Sequence, residues 1–261
     1  MTVNNYPVKN LASKPLVGLE VSRASNTTLQ IAAGMCRDSS NRLDITVGSD
    51  FPNLQGATVS APLTVNAAVV GANGLDQGTF AASKVYAVYV IADSQGYKNV
   101  AGLLSLASNS APKLPNDYNA YRLVGYAVSD ASTHFLAMYQ LGSGQARKLV
   151  FDAPQATAIT AGASTSYADV DLSALVPPVE NVLVSVVTDF NANAAADVLN
   201  LKGFSSTGDA VNVVAQVAGS TAHLWSNDAV LSQLDTATPK VQYKVSAGAV
   251  AIHVAGFEYW V

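Results

Sequence analysis

Charge, sulfur and titratable side chains are scarce in this chain. Of its 261 residues 12% are Asp, Glu, Lys or Arg, and there are one Cys, three His and three Glu. A single cysteine excludes an internal disulfide and any metal site built on several thiolates. So few groups that titrate or coordinate near neutral pH leave little for acid–base catalysis, and the reading is of a non-enzyme with no cofactor, metal site or catalytic residue. The basic residues are scattered, Arg147-Lys148 being the only adjacent pair. A nucleic-acid partner, which asks for clustered Lys and Arg, is not expected. The longest apolar stretch, Val85 to Ala92, is strand-length, whereas a spanning helix needs about 20 residues. Membrane insertion is therefore not expected. Met1 to Leu19 shows no apolar segment behind a basic start, so no secretory signal is read and folding in a reducing cytoplasm is expected.

What the chain does have is β grammar: 49% hydrophobic residues in short alternating runs, cut by 18 Gly, 10 Pro and many Asn, Asp and Ser. Thr28–Ala32 and Leu43–Val47 alternate on either side of a polar turn and predict a hairpin. Lys84–Ile91 is the strongest strand, and Tyr121–Val128 with Phe135–Leu141 predicts a closing pair. Further strands are predicted at 148–151, 168–172, 182–187, 198–201, 211–217, 223–225, 241–245, 249–254 and 257–261. Helical evidence is limited to one turn near Asn191–Ala196 and a start at Asp228, an N-cap residue. The fold class is all-β: two β-sandwich, jelly-roll-like domains behind an extended arm. The arm is placed at 1–24, where Pro7 and Pro15 interrupt any period. The first β domain spans 25–144, and the C-terminal sandwich spans 145–261. The small, flexible Leu141-Gly142-Ser143-Gly144-Gln145 forms the linker.

Several constellations invite a chemical reading. Asp169 and Asp171 would share one face of a strand, as paired glycosidase carboxylates do, but general-acid work needs one of them shifted by burial. His134, His223 and His253 are far apart and read as solvated or packed imidazoles rather than ligands. Ser143 has Gly on both sides but not the outer spacing of a nucleophile elbow. Asn191, Asn193 and Asp197 are spaced like calcium ligands, without the Gly and Glu of a calcium-binding hand. Tyr86, Tyr89, Tyr118, Tyr121, Tyr126 and Tyr139 crowd the first half. Tyr86 and Tyr89 would face opposite sides of one strand, one core and one outward. Exposed Tyr, or Trp225, could stack on a sugar ring or fill a subunit contact.

Two segments resemble a module of tailed-bacteriophage virion structural proteins. One is Asn73-Gly74-Leu75-Asp76-Gln77-Gly78 with Ala81-Ala82-Ser83 and Tyr86-Ala87-Val88-Tyr89-Val90-Ile91. The other is Leu114-Pro115 with Tyr118, Tyr121-Arg122, Gly125, Asp130 and Phe135. The resemblance covers about residues 25 to 140 and brings no catalytic residues. It implies a homo-oligomeric part of the particle, assembled in the host bacterial cytoplasm: a tail or collar fibre or related appendage, a baseplate-associated piece, or a capsid decoration (head fibre) protein; a glycan- or receptor-binding module of the adsorption apparatus is the alternative reading. A trimer is expected on analogy with fibres, contacts to other virion proteins run through the arm, and a host surface glycan is a further partner class.

Overall fold

The computed structural model describes residues 15–48, 60–93, 99–142, 144–152, 156–179, 182–194, 196–203, 211–214, 223–232 and 238–261, the backbone alone at 211–214 and 223–232. In its first half run β1 (Leu16–Gly18), β2 (Val21–Arg23), β3 (Thr28–Ile31), β4 (Gly34–Arg37), β5 (Asp44–Val47), β6 (Leu63–Asn66), β7 (Gly74–Leu75), β8 (Val85–Ala92), β9 (Val100–Leu106), β10 (Ala120–Val128) and β11 (Met138–Leu141). The second half adds β12 (Ala146–Phe151), β13 (Ala156–Gly162), β14 (Ala168–Asp171), β15 (Val182–Asn191), β16 (Val198–Gly203), β17 (Val211–Val214), β18 (His223–Ser232), β19 (Lys240–Val245) and β20 (Ala249–Trp260). The fold is all-β, with no helix among the described residues.

A nine-stranded sheet is the shared layer, in the order β18-β15-β20-β12-β11-β2-β3-β6, with β13 also paired to β20. It takes strands from both halves of the chain. Its inner face is built by strict alternation: Val182, Val184, Val186, Thr188 and Phe190 of β15 are buried and the residues between them are not. In β20 the alternation changes phase, from Val250, Ile252 and Val254 to Phe257 and Tyr259. A register shift against Ser185/Val186 of β15 absorbs the extra residue and returns the side chains to the same face. The sheet β10-β8-β9-β7 lies against this face. Gly102 of β9 faces Val65 and Ile31, and the Tyr126 ring meets Phe257 at 6.2 Å and Tyr259 at 4.9 Å. The sheet β14-β19-β16-β17 lies beside β13, where Gly162 meets the Tyr243 ring. The three-stranded β1-β4-β5 completes the fold.

Five expectations change. The arm placed at 1–24 gives way to strand by Leu16: β1 pairs with β4 and β2 with β3, and Leu16, Leu19 and Val21 are buried, because these apolar side chains have sheets to join. Residues 1–14 lie outside the described residues. The linker at Gly144 sits in a hairpin between β11 and β12, paired from Met138↔Phe151 to Leu141↔Lys148, so the sheet runs straight across the expected domain boundary. The turn at Arg37–Asn41 does join a hairpin, but with β4 rather than β3 as the partner of β5. Gly34 opens β4, where a Cβ would sit 2.3 Å from the Val17 carbonyl oxygen of β1. The closing pair reduces to one bridge, Ser129↔Phe135, β10 pairing instead with β8 and β11 with β12 and β2. Asp228 lies within β18, not at a helix start.

Arg147 ties these layers together. It is 2% exposed. Its guanidinium donates to the main-chain oxygens of Gly18 (2.6 Å), Leu19 (3.1 Å) and Val124 (2.9 Å), and its Nε to that of Gly144 (2.8 Å). Val124 is the bulged residue of β10, skipped between Leu123↔Tyr89 and Gly125↔Val88. The carbonyl that the bulge turns away from the ladder is thereby satisfied. The Gln140 amide donates to the same oxygen at 3.3 Å and accepts from the Tyr259 hydroxyl at 2.9 Å. Arg122 donates to the main-chain oxygen of Val261 at 2.9 Å.

Candidate functional site

The outer face of the nine-stranded sheet is the surface with most to offer a partner. Strand alternation puts Met138, Gln140, Arg147, Leu149, Phe257 and Tyr259 inside, so Tyr139, Leu141, Lys148, Val150, Glu258 and Trp260 point out. The ladders bring them together: Tyr139 is opposite Val150, Leu141 opposite Lys148, Lys148 opposite Glu258, and Trp260 opposite Ala146. Trp260 is 60% exposed, Leu141 49% and Tyr139 46%. Large apolar and aromatic side chains on a flat sheet, with an ion pair at their centre (Lys148 Nζ to Glu258 Oε1, 3.2 Å), have the make-up of a subunit contact. Of the predicted 257–261 strand, Phe257 and Tyr259 are buried and Trp260 is exposed.

The residues singled out for chemistry are dispersed and engaged. Asp169 and Asp171 do share one exposed face of β14, on either side of buried Val170. Asp169 accepts from the Gln242 amide at 2.7 Å and pairs with Lys240 at 3.3 Å. The Gln242 bond, ahead of the Lys240 contacts, holds its carboxyl below the ordinary value, the reverse of what a general acid needs. Asp171 accepts from the Ser173 N–H at 2.8 Å. His134 stands 3.9 Å from Asp130 in an exposed turn, and His253 shares a 3.0 Å hydrogen bond with Thr157. The side chains of His223 and Trp225, and all of Ser143, lie outside the described residues. Asp197 closes a turn, accepting from the Asn193 and Ala194 N–H groups at 2.9 and 2.7 Å and from Ser246 at 3.2 Å. Among the described residues no three His, Cys, Asp or Glu gather as a metal site would require.

The tyrosines divide differently from expectation. Tyr86 and Tyr89 are both buried, because all eight positions of β8 are covered on both faces. Tyr86 packs with Phe80 and Phe135, and Tyr89 edge-on to Tyr121 at 5.8 Å. Tyr139 alone of the six is largely exposed. The residues that carry the resemblance do structural work: Asn73 accepts from the Gly102 N–H at 2.9 Å, and Asp130 from the Ser132 and His134 N–H groups at 2.8 and 2.9 Å. Arg147, which gathers four main-chain oxygens, was not singled out by the sequence; an isolated Arg-Lys pair in an alternating run was the one available signal. Compared with known protein families, with characterised proteins and with solved structures, the chain shows no match.

Proposed function

We propose that this chain is a non-enzymatic structural component of a tailed-bacteriophage particle, a tail or collar fibre or related appendage, which works by assembling with copies of itself. The observation that carries the reading is the outer sheet face of Tyr139, Leu141 and Trp260 around the Lys148–Glu258 pair. A face with one cation and one anion side by side is self-complementary: across a two-fold axis each Lys148 meets the other copy's Glu258. A pair of copies is the smallest assembly this contact closes, in place of the trimer favoured on analogy. The resemblance of residues 25 to 140 supplies the particle, and the engaged, exposed state of Asp169, Asp171 and His134 supports a non-enzyme. The fold is read as two sandwiches sharing one sheet. A capsid decoration protein is the same reading at another place on the particle. Quantitative mass spectrometry of purified particles tests it: a fixed copy number per particle is expected, and presence in the lysate alone would refute it.

A further inference from the structure

We infer that the cavity beside the Asn73–Gly78 turn binds an alkylammonium group on the carboxylate of Asp76, independently of the assembly role. The cavity has a volume of about 330 Å³ and is lined by Leu75, Asp76, Gln77, Tyr86, Leu106 and Asn109, among others. This is the small end of the range for ligand pockets. β7 fixes the carboxylate there: the Asp76 N–H donates to the Leu104 carbonyl oxygen at 2.7 Å, next to the parallel pairing of Leu75 with Leu104.

Asp76 is 9% exposed. Its Oδ2 accepts from the Lys113 N–H at 3.1 Å. No other hydrogen bond and no ion pair reaches the carboxylate among the described residues, and the Lys113 side chain is exposed. A mostly buried carboxylate that lines a cavity presents its free charge to a cation there. The rest of the wall selects which one. Leu75, Leu106 and the Tyr86 ring offer apolar contact to a short methylene chain, while the Tyr86 hydroxyl is held by the Ala81 N–H at 2.8 Å. A divalent metal ion asks for several oxygen ligands, and one carboxylate does not supply them. The ammonium comes either from a free amine or from a lysine side chain of another protein; the recognising chemistry is the same.

Calorimetric titration of the full chain with n-butylamine, with Nα-acetyl-lysine methylamide and with butanol as the uncharged control tests the inference. Saturable binding of the amines is expected and butanol is expected not to bind. Binding of the lysine derivative alone assigns the source to a protein lysine; binding of both assigns it to the ammonium group itself. Asp76→Asn keeps an acceptor for the Lys113 N–H and removes the charge, so amine affinity should fall about tenfold or more. Gln77→Lys, at an exposed position on the cavity wall, places an ammonium of the chain's own beside Asp76 and should block binding. No amine binding, butanol binding as tightly as butylamine, or amine affinity unchanged in folded Asp76→Asn overturns the inference. Should Asp76→Asn fail to fold, unchanged affinity in Gln77→Lys overturns it and lost affinity upholds it.

Discussion

Replacing Arg147 with Met should unfasten the junction between the nine-stranded sheet, the β1–β2 connection and the β10 bulge. The side chain is almost fully buried and makes four hydrogen bonds to main-chain oxygens of Gly18, Leu19, Val124 and Gly144. At about 1.5 kcal/mol for each charge-assisted bond, the set is worth roughly 6 kcal/mol. Methionine escapes the burial cost of a guanidinium, which offsets several kcal/mol of that loss. The net loss is about 2–4 kcal/mol, with Val124 keeping only the Gln140 bond. At roughly 2–4 °C per kcal/mol for a chain of this size, Tm should fall by about 4–16 °C in differential scanning calorimetry. Arg147→Lys separates charge from geometry, since one ammonium cannot span carbonyls that a planar fork reaches on two sides, and it should lose at least as much. A Tm within about 2 °C of the parent for Arg147→Met, or full stability in Arg147→Lys, would refute the reasoning.

High pH should destabilise the fold. Burial pushes the Cys36 thiol up to about 12 from 9.0 and the Tyr89 phenol up to about 12 from 10.0, and raises Tyr126 and Tyr259 as well. The folded chain therefore keeps protons that the unfolded chain releases, so this stability is complete below pH 9.0 and drains away as pH climbs towards 12. Urea midpoints that stay level across that window would contradict the assignment. Gly102→Ala should cost about 1–3 kcal/mol by overpacking, because its Cβ would stand 2.2 Å from Val65 Cγ2 and 3.1 Å from Ile31 Cδ1; an unchanged urea midpoint would show that the two sheets part without cost.

Strand existence was legible where one face is buried and the other is not. β15 and β19 alternate along their length and were expected from that pattern. Pairing was not legible, because alternation names a face and not a neighbour. The β5 hairpin went to β4, whose Gly34 looks like a terminator until β1 is seen crossing it. β8 misled on its tyrosines because the period-2 argument assumes one wet face, and β8 has none. The boundary at Gly144 looked like a linker because small, flexible residues also make tight hairpins; only the ladder from Met138 to Leu141 tells the two apart. The outer face was half legible. Tyr139 was among the aromatics named, but Trp260 and Leu141 joined it only through the β11-β12-β20 order. Asp76 was visible as a turn residue and carried no sign of the cavity it lines.

Light scattering on the purified chain, beside the double substitution Leu141→Glu and Trp260→Glu, tests self-assembly through the outer face most directly. The account predicts that the parent has at least twice the 26.9 kDa chain mass. It also predicts that the variant has the single-chain mass while keeping the far-UV circular dichroism of the folded parent, since both side chains point away from the core. A parent at single-chain mass, or a variant that keeps the parent's mass, would contradict it.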